Sequence, residues 1–173
     1  MPELISVLDK DAIARYVADV AKQISHDYQD GDLVIIGVLK GAFVFMADLI
    51  RQLTLNSFTI DFIRLASYGN GVDPSGDVRI VHDIETDISN KDVLIVDDIF
   101  DTGSTMTRLY RHLQARLPRS IRICTLIDKT GRRRANLQPD YYCHEIDQGF
   151  LVGYGLDYAE AYRHLPGLYN LKL

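Results

Sequence analysis

The chain has 173 residues, 47% of them hydrophobic and 25% charged, which reads as one soluble domain with enough apolar surface for its own core. Twenty-four acidic against 19 basic residues leave a net charge of −5, which argues against coating nucleic acid and requires that an anionic substrate be met by local cations. No apolar run reaches the length of a membrane span, the opening Met-Pro-Glu-Leu-Ile is unlike a signal peptide, and Cys124 and Cys143 read as free, buried thiols in a reducing cytoplasm.

In chain order, Ser6 to Asp9 reads as a variant capping box that opens a helix over residues 9–28, with Ile13, Val17, Val20 and Ile24 on one core-covering face. A turn at 30–32 leads into an apolar strand over 33–39. Lys40 and Gly41 follow directly, and then a helix carrying Phe43, Met46, Leu49, Ile50 and Leu53. Strand, short loop and helix make half of a βαβ unit, and ligands bind at such carboxyl ends. Spacing alone leaves Lys40 open between an anion contact and a plain surface lysine. Residues 58–62 alternate as a strand with one buried face. Residues 67–77 are dense in turn formers, and 78–81 return as a short strand, so composition makes 67–77 a hairpin tip.

The most informative stretch is 93–105. Four apolar residues, Val93 to Val96, three of them β-branched, read as a buried parallel strand. Asp97, Asp98 and Asp101 then fall within five positions, and Thr102, Gly103, Ser104 and Thr105 form a hydroxyl-rich turn. An amphipathic helix follows with Met106, Leu109, Tyr110, Leu113 and Leu117, stopped by Pro118. Unpaired amides and the helix dipole make such a turn a site for an anionic group. Carboxylates set just before a phosphate cradle repel phosphate, so they serve something beside it: a sugar diol, a metal ion or a proton to be moved. Ribose 5-phosphate carrying a leaving group fits all three.

Residues 121–127 form another apolar strand ending in Asp128-Lys129, and Lys129 is open between a solvent-facing lysine and a ligand contact. Arg132, Arg133 and Arg134 read as a solvated loop in preference to a nucleic-acid patch. Residues 141–145 are a short strand, and none of the five histidines forms a zinc or catalytic pattern. Residues 150–157 read as a strand with close backbone approach at its glycines, ending in Asp157. Residues 166–173 are a last strand or coil.

The stretch 93–105 resembles the ribosyl-phosphate signature of the type I phosphoribosyltransferases, with Asp97 where that family usually has Glu. More narrowly, it is similar to the 6-oxopurine (hypoxanthine-guanine) branch, and the similarity runs along nearly the whole chain. The resemblance implies an α/β fold of type I phosphoribosyltransferase architecture: one domain over 1–173, with a central mostly parallel sheet flanked by helices. It also implies a small hood from about 145–173 and a flexible lid hairpin at about 67–77 with Ser67 and Tyr68 as its signature pair.

The implied activity is magnesium-dependent transfer of phosphoribose from 5-phosphoribosyl-1-pyrophosphate to hypoxanthine or guanine, with xanthine left open. Asp97 and Asp98 would hold the ribose, and residues 101–105 the 5-phosphate. Lys40, Gly41 and Arg163 would hold pyrophosphate. Lys129 would donate to the 6-oxo oxygen, Phe150 would stack on the base, and the backbone near Leu151 would read its edge. Asp101 would be the general base. Asp157, with Asp97 and Asp98, would serve Mg2+. The family also implies a homodimer or homotetramer, with neither nucleic acid nor membrane as partner. Two other readings compete: a non-catalytic regulator of the same fold that binds nucleotides and nucleic acid, and a response-regulator-like domain. The first needs a basic face, and the second does not explain Asp-Thr-Gly-Ser-Thr at 101–105.

Overall fold

The computed structural model describes residues 2–67 and 78–173. Its main sheet has six strands in the order β4-β3-β2-β5-β6-β7. These are β2 (Leu33–Leu39), β3 (Thr59–Ser67), β4 (Val78–His82), β5 (Asp92–Phe100), β6 (Ser120–Lys129) and β7 (Tyr141–Ile146). All neighbours run parallel except β3 and β4. Among the described residues three helices complete the core: α1 (Lys10–Asp27), α2 (Phe43–Gln52) and α3 (Ser104–Gln114).

The strand period of two sorts the central side chains onto opposite faces. Leu33, Ile35, Leu94 and Val96 pack with α1 and α2, while Val34, Ile36, Val93 and Ile95 pack with Met106, Leu109 and Leu113 of α3. Both faces are covered, which is why β2 and β5 are continuous apolar runs. From β2 the chain moves outward to β3 and then returns to place β5 on the other side of β2. The sheet therefore has its switch point between β2 and β5, where a crevice opens beyond the strand ends.

Several expectations shift. Ser6 lies in a strand, β1 (Glu3–Leu8), that the local pattern did not announce, so no capping box forms. Asp9 alone caps α1, its Oδ1 accepting from the Ala12 amide at 2.7 Å. β1 pairs antiparallel with β9 (Leu168–Lys172), which pairs in turn with β8 (Leu151–Val152). The small sheet thus joins both ends of the chain, beyond the 145–173 segment expected to form a hood. Leu117 is not on the apolar face of α3: the helix ends at Gln114, and Leu117 is 74% exposed with φ of 57°. The strand expected over 150–157 shrinks to Leu151–Val152. Beyond it the backbone curls, with positive φ at Gly153, Tyr154 and Gly155. Cys124 and Cys143 are free and buried, as expected.

Candidate active site

Parallel pairing puts the carboxyl ends of β2, β5 and β6 on one edge of the sheet. Asp97 and Asp98 close β5. The Asp97 carboxylate accepts from the Asp98 amide and the Asp98 carboxylate from the Ile99 amide, each at 2.8 Å. Burial pushes both carboxyls up, and the neighbouring Asp98 charge pushes Asp97 further. For Asp98 the backbone amide of Ile99 and the charge of Arg163 oppose the rise.

The turn that follows is built for close approach. Gly103 sits at φ of 85°, where a Cβ would come within 2.6 Å of the Ala135 Cβ. As N-cap of α3 it offers no side-chain acceptor to the first-turn amides, and that turn carries no acid; the Ser104 amide donates to Thr102 Oγ1 at 3.3 Å, and the other first-turn donors and the dipole suit an anion. Thr102 and Ser104 exchange a hydroxyl contact at 3.3 Å. Asp97, Asp98, Asp101, Thr102, Gly103 and Thr105 line one cavity of about 270 Å³. A second cavity, of about 280 Å³, is lined by Lys129, Phe150, Leu151 and Asp157. The two share Asp98, Ile99 and Asp101.

Asp101 stands at their junction. Its Oδ2 lies 3.6 Å from Lys129 Nζ and 3.7 Å from an Arg132 nitrogen. Its Oδ1 is buried with no hydrogen-bond partner among the described residues. A buried carboxylate oxygen so placed has the chemistry to accept from an N–H or a water. Lys129, the last residue of β6, is only 9% exposed, so the solvent-facing alternative for it is excluded. Phe150 is half exposed and meets Tyr158 edge-on, with ring centroids 5.7 Å apart.

The loop after β2 completes the cleft. The Leu39–Lys40 peptide is cis. A Cβ on Gly41 would fall 1.9 Å from Asp98 Oδ2, so only glycine fits there without moving that carboxylate. Gly155 packs against the Gly41 carbonyl. Arg163 donates to the Gly155 carbonyl at 2.7 Å and pairs with Asp157 at 3.1 Å and Glu160 at 3.4 Å. Lys40 is not free either: its ammonium pairs with Glu160 at 3.1 Å. Ser67 ends β3, and Tyr68 lies outside the described residues.

The expectation for the arginine loop needs correction. Arg132 and Arg134 are exposed, but Arg133 is tucked over Phe100, its guanidinium carbon 4.5 Å from the ring centroid. It bonds the carboxylate of buried Asp128 and the backbone carbonyls of Asp101, at 3.2 Å, and Lys129, at 3.4 Å. A charge triplet carries no sign of which member turns inward, so this contact had no local signal.

The carboxylates also bear on metal binding. Among the described residues no three His, Cys, Asp or Glu side chains gather into a metal cage. Asp97 and Asp98 are hard oxygen donors, with the charge of Arg163 set against Asp98, and Asp157 is already held by Arg163. That set fits a magnesium ion that keeps its waters and takes further oxygens from a phosphate-bearing ligand.

Among known proteins, the phosphoribosyl transferase domain family matches residues 5–159. The chain is 43% identical to the hypoxanthine phosphoribosyltransferase of Escherichia coli strain K12 over 169 residues, covering 96% of this chain and 94% of that protein. It is 42% identical to a hypoxanthine-guanine phosphoribosyltransferase of Staphylococcus epidermidis, covering 96% and 92%. A crystal structure of a hypoxanthine phosphoribosyltransferase from Staphylococcus aureus superposes with a TM-score of 0.92 at 41% identity, covering 96% of this chain and 90% of that one.

Proposed function

The chain belongs to the phosphoribosyl transferase family, and from that premise we infer that it salvages purines. It moves a 5-phosphoribosyl group from 5-phosphoribosyl-1-pyrophosphate to hypoxanthine or guanine and releases the nucleoside monophosphate and pyrophosphate. The observation that carries this reading is the junction of two cavities at Asp101, with the hydroxyl-lined turn on one side and Lys129 on the other. The non-catalytic regulator finds no support among these relatives. A cytoplasmic setting would keep both thiols reduced.

In this mechanism, residues 101–105 hold the 5-phosphate and the carboxylates of Asp97 and Asp98 hold the ribose hydroxyls. Lys40, Gly41 and Arg163 receive the pyrophosphate, which the guanidinium grips bidentately. Lys129, a donor-only ammonium, selects a 6-oxo over a 6-amino purine. Phe150 covers the base, and backbone near Leu151 reads its edge. The bond from the anomeric carbon to pyrophosphate breaks and its electron pair leaves with pyrophosphate. A ring nitrogen of the purine bonds to that carbon through its lone pair, and a proton from the purine's five-membered ring passes to the Asp101 carboxylate. Magnesium, when bound near Asp97, Asp98 and Asp157, supplies countercharge for the pyrophosphate.

The test is to incubate the protein with magnesium, phosphoribosyl pyrophosphate and each purine and to follow nucleotide formation. Hypoxanthine should be converted and adenine should not. Asp101→Asn should lower kcat by roughly 10²- to 10⁴-fold, and unchanged turnover would remove Asp101 from the proton transfer.

A further inference from the structure

We propose that Arg133 is a positioning residue, which fixes the proton acceptor Asp101 and the base-selecting Lys129 relative to each other; the proposal deepens the reading above and rests on it. β5 and β6 pair in register as far as Phe100 opposite Asp128. Asp101, just past β5, and Lys129, the last residue of β6, come next, so the β5–β6 ladder stops one step short of the two side chains that must meet one purine. Arg133 supplies the missing step. One guanidinium donates from Nε to the Asp101 carbonyl and from a terminal nitrogen to the Lys129 carbonyl. It therefore ties the Asp101 segment, which has left the sheet, to Lys129, which the sheet still holds through its β7 partner Ile146.

The anchoring of Arg133 itself is over-determined. The terminal nitrogen that reaches the Lys129 carbonyl also bonds the Asp128 carboxylate, and Phe100, the last paired residue of β5, lies under the guanidinium plane. The loop that carries it is stitched to the phosphate turn, because the amides of Arg134 and Ala135 both donate to the Thr102 carbonyl at 3.0 Å. A guanidinium present only to neutralise Asp128 would have no reason to reach two carbonyls on different strands. A rigid planar fork does this, and a lysine ammonium cannot reproduce it while also pairing with Asp128.

Asp101 and Lys129, 3.6 Å apart, act on one base, so a small relative shift costs turnover without touching the phosphate and pyrophosphate contacts. Such misplacement is worth roughly 10²-fold. Arg133→Ala and Arg133→Lys are compared with the unaltered chain at saturating magnesium, measuring kcat and both KM values and recording thermal unfolding in parallel. Nucleotide formation by the unaltered chain tests the parent reading, and its absence overturns both. With activity present, the expected result is a kcat with hypoxanthine lowered roughly 10²-fold in both variants, with KM for phosphoribosyl pyrophosphate little changed. Free guanidinium at non-denaturing concentration should restore part of the loss in Arg133→Ala and do nothing for the unaltered chain. A lysine variant with full kcat overturns the positioning role. So does an alanine variant that only melts earlier and turns over normally while folded.

Discussion

Asp97 carries the clearest conflict between site and stability. Its carboxyl is raised first by burial and then by the Asp98 charge, so the folded chain holds that proton more tightly than the unfolded chain does. Stability from this group is present in full below the unfolded carboxylate pKa of about 3.9 and is lost as pH rises through the raised folded value. Raising the pH toward neutral therefore costs the ligand-free fold stability at this pair. Asp97→Asn should stabilise the ligand-free protein at pH 7 by about 1 kcal/mol, a Tm rise of about 2–4 °C. The gain should fade toward pH 4. Thermal unfolding across that range checks it, and a gain that does not shrink on acidification contradicts the assignment. The same substitution should weaken phosphoribosyl pyrophosphate binding, a stability–function opposition common at active sites.

At the scale of the element, the two strand-to-helix junctions use glycine for different ends. Gly103 takes a backbone conformation that other residues resist, which lets the chain turn from β5 into α3 with its amides exposed. Gly41 clears space for a neighbour: Asp98 stands where its side chain would be. Gly41→Ala should therefore act on ligand affinity more than on folding. The methyl group displaces the Asp98 carboxylate, and KM for phosphoribosyl pyrophosphate should rise by roughly 10- to 100-fold, about the loss of a charged hydrogen bond. Steady-state kinetics beside a melting curve separates the two effects. A variant with unchanged KM would mean that Asp98 moves aside without consequence. The helices themselves are ordinary. α1 covers the sheet with Ile13, Val17, Val20 and Ile24, and α3 covers the other face with Met106, Leu109 and Leu113.

For the whole molecule, the cleft draws on segments far apart in the chain: the β2 loop, the β5 turn, the end of β6 and the curl from 153 to 163. A ligand that spans them binds only the folded state. Phosphoribosyl pyrophosphate with magnesium at 100 times its Kd should add about 2.7 kcal/mol of stability. That corresponds to a Tm rise of about 5–11 °C. Differential scanning with and without ligand measures it, and the absence of any shift would show that the segments do not close on one ligand.

The local pattern of residues determined the most about the elements whose physics is local. Residues 93–105 announce a buried strand, an acidic strand end and an amide-lined turn, because side-chain period, glycine and hydroxyls act within a few positions; the structure has all three. The period of α1, the apolar run of β2 and the buried thiols were legible for the same reason. Only the tertiary structure decided the rest. Nothing near Ser6 announces a strand, because β1 exists only through its pairing with β9 at the far end of the chain. Residues 150–157 alternate too little to reveal a curl set by packing against Gly41. Arg133 looks like its two solvated neighbours until the chain folds it onto a carbonyl 32 residues away. Periodicity and capping are written along the chain, whereas contacts across it depend on where every other element has already packed.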